Sequence, residues 1–104
     1  LGARPGVDAI YCFNDLVAAG AMLACGELGR RVPEDVAIVG SDDIFLARLM
    51  TPPLTTLRAE KQRLGAVAVE LLLEQINGSR VRREAVILEP ELIIRESAPG
   101  AKEA

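Results

Sequence analysis

The residues of this chain that could do chemistry gather at the ends of two apolar runs. Val7-Asp8-Ala9-Ile10-Tyr11-Cys12-Phe13 leads into Asn14-Asp15, and Val36-Ala37-Ile38-Val39-Gly40 leads into Ser41-Asp42-Asp43. These side chains donate and accept hydrogen bonds, and their grouping outlines a binding site more readily than a catalytic one. There is no histidine in the 104 residues, so the usual general base and the commonest metal ligand are both missing. Ser41 lacks a Gly-x-Ser-x-Gly elbow and a base to activate it. Asp42-Asp43 could hold a magnesium ion as in a phosphorylated receiver domain. That chemistry needs a separate acceptor Asp at another strand end and a Lys after a late strand, whereas Lys61 opens a helix and Lys102 lies in the tail. The expectation is a protein that is not an enzyme and carries no metal and no cofactor.

The spacing of the two runs explains how they would come together. A crossover of this length between them implies a right-handed strand-helix-strand unit with parallel strands. Asn14/Asp15 and Ser41/Asp42/Asp43 then share the rim where open α/β sheets bind ligands. The first strand is expected over about 7–13 and the helix after it, capped by Asn14 or Asp15, to about Leu28 with Gly29 as its stop. Val17, Ala21, Ala24 and Leu28 form an apolar line expected to pack on the sheet, with Leu16, Ala19 and Leu23 on another face. No charged residue falls between Asp15 and Glu27, so a second surface should cover the outer side of this helix.

Further along, Val36–Gly40 reads as a buried strand, Leu46, Leu49 and Met50 as a turn of helix broken at Thr51-Pro52-Pro53, and Leu54–Leu57 as a short strand. Glu60 to Ile76 is strongly helical, with Leu64, Val67, Ala68, Leu71, Leu72 and Ile76 on one face and Asn77-Gly78 at its end. Ala85–Leu88 and Leu92–Arg95, split by Pro90, read as two more strands. From Ser97 onward the chain reads as a polar tail that frays.

Composition narrows the function further. The net charge is −3, and half the residues are apolar with few aromatics and no Trp, as suits a parallel α/β core of Val, Leu, Ile and Ala. The basic residues are scattered in loops (Arg30, Arg31, Arg80, Arg82, Arg83), so nothing tracks a nucleic-acid backbone. Cys12 and Cys25 lack metal-site spacing and read as buried free thiols of a reducing, cytoplasmic compartment. The apolar run from Leu16 to Cys25 is too short to span a membrane. The chain opens at Leu1 in a polar loop without an initiator Met, which suggests that something upstream has been removed.

Taken in order, Phe13-Asn14-Asp15, the RVPEDVAIVGSDD stretch from Arg31 to Asp43, TPPLTTLR from Thr51 to Arg58, the helix with LGAVAVELLLEQING and the closing LIIRES strongly resemble the C-terminal part of lactose-repressor/galactose-repressor (LacI/GalR) family transcription regulators. The likeness covers nearly the whole chain, and five motifs in unbroken order are specific where each alone is weak. It implies an α/β fold: a parallel-sheet, periplasmic-binding-protein-like (type I) subdomain, three-layer α/β/α and incomplete. Residues 1–97 would be the C-terminal part of an effector-binding and dimerisation domain, with 98–104 a flexible tail. The helix at about 60–76 would cross to an N-terminal subdomain missing from the chain. Without that subdomain its apolar face should fold back on its own sheet or pack against another copy.

The resemblance also assigns residues. Effector contacts fall on Asn14 and Asp42, with Ser41 beside them, while Asp15 and Asp43 read as structural. An ionised Asp accepts from two adjacent hydroxyls and an Asn amide both donates and accepts, which suits a sugar-like effector. Two departures stand out: Ser41 where the family often has an aromatic before the acid, and Ala59 where many members have Gln. The matching positions of the homodimer interface are Ala19, Leu23 and Met50. Operator DNA would be bound only through the missing N-terminal helix-turn-helix domain, and no membrane is involved. The rival reading is a periplasmic sugar-binding protein of a transporter, with the same fold and rim.

Overall fold

The computed structural model describes residues 4–78 and 85–100. Arg80, Arg82, Arg83 and most of the tail therefore lie outside the described residues, as does the chain start through Ala3. The described chain divides into two compact units, one of residues up to Arg58 together with those from Glu91 on, the other Ala59–Pro90.

The first unit is built on a four-stranded sheet in the order β1 (Ala9–Tyr11), β2 (Ala37–Ser41), β3 (Thr55–Arg58), β4 (Glu91–Ile93). β1, β2 and β3 are parallel, as the crossover implies, with Tyr11 opposite Val39 and Ser41 opposite Leu57. β4 pairs antiparallel to β3, Leu57 opposite Leu92, so the sheet is mostly parallel. Leu92 and Ile93 were expected in a strand; Ala85 to Leu88 were too, but they join no ladder.

Helix α1 (Asp15–Glu27) packs on this sheet, but in a different phase from the one its apolar residues suggest. Its buried residues are Asp15, Ala18 and Cys25, with Met22 and Ala21 partly buried against the core. Val17 and Leu28, expected inward, are half exposed. The cause is Asp15. Its buried carboxylate accepts hydrogen bonds from the Thr56 hydroxyl at 2.6 Å and the Ile44 N–H at 2.8 Å. That contact fixes position 15 inward, and the positions three, seven and ten residues on follow it round the same helix face. Gly29, at φ +68, takes the left-handed turn that ends the helix.

Helix α2 (Phe45–Leu49) supplies Ala47 to a small core shared with Cys12, Ala18, Cys25, Val36, Ile38 and Leu54. Cys12 and Cys25 are both buried and free. Gly40 faces α1 so closely that a Cβ would collide with Asp15 Oδ1. The opposite sheet face, carrying Tyr11 in register with Val39, is more open, and Tyr11 is 64% exposed.

Ser97, expected to begin a fraying tail, is instead fully buried. Its hydroxyl donates to Ile38 O at 2.6 Å and accepts from Thr55 N–H at 2.8 Å; its own carbonyl accepts from Ile38 N–H and its N–H donates to Pro53 O. One short polar residue thus satisfies ladder groups of β2 and β3 that have no other strand beside them.

In the second unit, α3 (Lys61–Ile76) ends at Asn77 and Gly78, the latter at φ +68. None of its residues is buried: Leu64, Leu72, Leu73 and Ile76 are each about half exposed or more, and Val67 and Leu71 are partly covered.

Candidate functional site

Asn14 and Asp42 lie on one rim of the sheet, as the sequence implies. Tyr11 and Val39 are the last pair between β1 and β2, and Asn14 and Asp42 each follow three residues later. Asn14 is the N-cap of α1, its Oδ1 accepting from Val17 N–H at 2.8 Å. The amide Nδ2 donates to nothing among the described residues, so capping leaves two donors for another partner.

The acids on this rim divide by what they touch. Asp15 is spent on Thr56 and the Ile44 N–H. Asp43 accepts from Arg95 Nη1 and Arg58 Nε, each at 2.8 Å, with its side chain only 2% exposed. The hydrogen bond from Arg95, with that from Arg58, holds the Asp43 carboxyl below the usual carboxylate range against the opposing effect of burial. Both acids are structural, as expected. Asp42 is exposed, and its carboxylate has no hydrogen bond or ion pair among the described residues; only its backbone is tied, N–H to Leu57 O at 2.8 Å. Ser41 closes β2, half buried, with its hydroxyl likewise unengaged among the described residues.

Three participants at this rim escape a sequence reading. Thr56 gives its hydroxyl to Asp15, and Arg58 and Arg95 hold Asp43; Arg95 is 52 residues away from it in the chain. An Arg at the end of an apolar strand is the one signal, and it does not say which acid it meets. Among the described residues no cluster of three or more His, Cys, Asp or Glu could hold a metal ion, and no helix is long and apolar enough to cross a membrane. On α1, Leu23 and Leu16 are 72% and 64% exposed, Ala19 is half buried, and Met50, beyond α2, is partly buried against the core.

A model of the periplasmic binding protein-like domain matches residues 1–98. The chain belongs to that family. Within it, the sequence is 51% identical over 89 residues to the HTH-type transcriptional repressor PurR of Pasteurella multocida, covering 86% of this chain and 27% of that protein. A LacI family transcriptional regulator from Arthrobacter sp. FB24, solved in complex with lactose, superposes with a TM-score of 0.81 at 40% identity, over 94% of this chain and 37% of that one. The lac repressor dimer bound to operator and the anti-inducer ONPF gives a TM-score of 0.81 at 35% identity, over 88% and 32%. The chain spans about a quarter to two fifths of the length of these proteins, and the similarity extends over most of its own length. Two of these relatives are transcriptional repressors, and the periplasmic transport reading is not favoured.

Proposed function

We propose that this periplasmic-binding-protein-like domain binds a small hydroxylated effector at Asn14, Ser41 and Asp42, and thereby modulates operator binding by a helix-turn-helix domain elsewhere in a cytoplasmic regulator. The observation that carries this reading is the contrast on the rim: Asp15 and Asp43 are consumed by internal contacts, while the Asp42 carboxylate and the Asn14 amide nitrogen have no partner among the described residues. A carboxylate and an amide nitrogen on one rim can accept from and donate to hydroxyls of one ligand, which favours a sugar-like molecule. The lactose bound to the Arthrobacter regulator supports that class.

The outer face of α1, carrying Ala19 and Leu23, together with Met50 just before the Pro pair, supports a homodimer, in keeping with the dimeric lac repressor. In the same reading residues 1–97 form the effector-binding and dimerisation part, α3 reaches toward an N-terminal subdomain, and 98–104 serve as a tail.

A thermal-shift screen on the longer regulator tests the effector assignment, using ribose, lactose, cellobiose, xylitol, hypoxanthine and guanine. A ligand at 100 times its Kd stabilises by about 2.7 kcal/mol, a readily measured rise in Tm. Asp42→Ala should abolish the shift given by the responding compound and leave operator binding intact. Loss of both together would assign Asp42 to folding instead, and a response only to the nucleobases would replace the sugar-like class.

A further inference from the structure

The chain has two asparagines, Asn14 and Asn77, in opposite chemical situations. Asn14 is held through its Oδ1 by the Val17 N–H at 2.8 Å, and the residue after it, Asp15, is fully buried. Asn77 precedes Gly78; both are exposed, and the Asn77 side-chain amide has no hydrogen bond among the described residues. Even a Cβ at Gly78 would meet nothing within 4 Å, and with glycine there no side chain shields the peptide nitrogen.

An asparagine amide beside such a nitrogen is open to attack by it. The Gly78 N–H gives its proton to water and the nitrogen bonds to Asn77 Cγ, while the Cγ–Nδ2 bond breaks and ammonia leaves with a proton. Water then opens the five-membered imide. Cleavage at Cγ gives an aspartate; cleavage at the Asn77 carbonyl carbon gives an isoaspartate, whose main chain runs through the side-chain carbons. Water is consumed and ammonia released, with no change of oxidation state.

The backbone controls access to this reaction. Asn77 lies at φ −78 and ψ 5, which turns the Gly78 nitrogen well away from Cβ about the Cα–C bond, so the ring cannot close in that conformation. Two hydrogen bonds hold it: Asn77 N–H to Leu73 O at 2.9 Å, and Gly78 N–H to Gln75 O at 3.3 Å, a long one. No residue of α3 is buried and no basic residue stands in its last turn. Neither packing among the described residues nor a cation at the negative end of the helix dipole reinforces the turn.

We propose that Asn77-Gly78 is a site of spontaneous deamidation and isoaspartate formation, gated by opening of the last turn of α3. The product carries a new carboxylate at the negative end of the helix dipole and, in its isoaspartyl form, an extra methylene in the main chain. Both oppose re-formation of the turn. Older molecules thus lose a helix end that younger ones hold, and none of this depends on the effector assignment.

The test is incubation of the chain at neutral pH and physiological temperature, folded or in concentrated urea, followed by peptide mass mapping and methylation with an isoaspartyl methyltransferase. In the folded chain Asn77 should convert steadily, with isoaspartate the major product, and Asn14 should stay intact. Urea should speed conversion of Asn77 on the order of tenfold. The gate is read with Gln75→Gly and Gln75→Ala, which differ mainly in helix propensity: the Gly variant should convert about threefold faster when folded and at the same rate in urea. Asn77→Gln, which would have to close a six-membered ring, should yield no methyl-accepting site there.

An Asn77 that stays intact in the folded chain while converting in urea, or a folded Asn14 that converts as fast as Asn77, would overturn the site. Equal folded rates for the two Gln75 variants, or folded conversion as fast as in urea, would overturn the gate.

Discussion

Replacing Gly40 by Ala should destabilise the protein severely, although the change adds one methyl group. The new Cβ would collide with Asp15 Oδ1 and lie 2.8 Å from Leu54 Cδ2 and 3.3 Å from Asp15 Cα. Leu54 has nowhere to retreat, being fully buried. The carboxylate can move only by giving up the Thr56 hydroxyl or the Ile44 N–H, and the Cα can move only with the start of α1. Overpacking a core costs about 1–3 kcal/mol, and each hydrogen bond to a charged group contributes about 1.5–3 kcal/mol. The cheapest combination, modest overpacking and one lost bond, comes to roughly 3 kcal/mol. Against a total of about 5–15 kcal/mol for a small domain, that should lower Tm by on the order of 10–20 °C in a circular-dichroism melt. Gly26→Ala is the control: it lies in the same helix with nothing within 4 Å of an added Cβ, and it should stabilise by roughly 0.5 kcal/mol. A Gly40→Ala protein within about 1 kcal/mol of wild type would show that the tight seat of Asp15 beneath β2 is not a real constraint.

Three other substitutions probe separate parts of the molecule. Ser97→Ala removes both hydroxyl contacts and leaves Thr55 N–H buried without its acceptor, so urea unfolding should report a loss of about 1–3 kcal/mol; no change would refute its role in the sheet. Asp35, which accepts from Arg31 both at its side chain and its backbone, is held well below the usual carboxylate range, at about 2. Because its folded value is the lower one, its contribution is complete above the ordinary carboxylate range and fades as pH falls toward 2. Asp43 adds to stability with the same sign. Asp35→Asn should therefore shed less stability than wild type between pH 4 and pH 2 in urea titrations, and equal slopes would reject the assignment. Leu23→Asp places a charge on the exposed outer face of α1 and should convert a dimer to a monomer in sedimentation velocity, with the fold retained by circular dichroism.

Periodicity and turn residues were enough to locate the three parallel strands and the helices to within a few residues, and with them the rim that carries Asn14 and Asp42. Polar contacts between distant residues were not legible. The phase of α1 is set by the buried Asp15, which a count of apolar positions places outside. Ser97 looks like the start of a loose tail because its three partner residues, Ile38, Pro53 and Thr55, lie far back in the sequence. Asp43 and Arg95 meet across 52 residues, a distance at which neither charge announces the other. Ala85–Leu88 shows the reverse error: β-branched and apolar residues favour a strand, but a strand exists only where a ladder partner is available.

The position of Ser97 has a consequence for how the chain is made. β3 finds its last neighbour in β4, and β2 finds its remaining hydrogen-bond partner in Ser97, only after the whole Ala59–Pro90 unit has been synthesised. Non-local pairings of this kind are slow to form and leave strand edges open meanwhile. During translation, β1, α1 and β2 emerge early and can pair, while the buried Thr55 N–H and the Ile38 backbone must wait. A nascent or truncated chain that stops short of Ser97 would present those groups to water and to proteases, so the arrival of Ser97 becomes the step that secures the sheet.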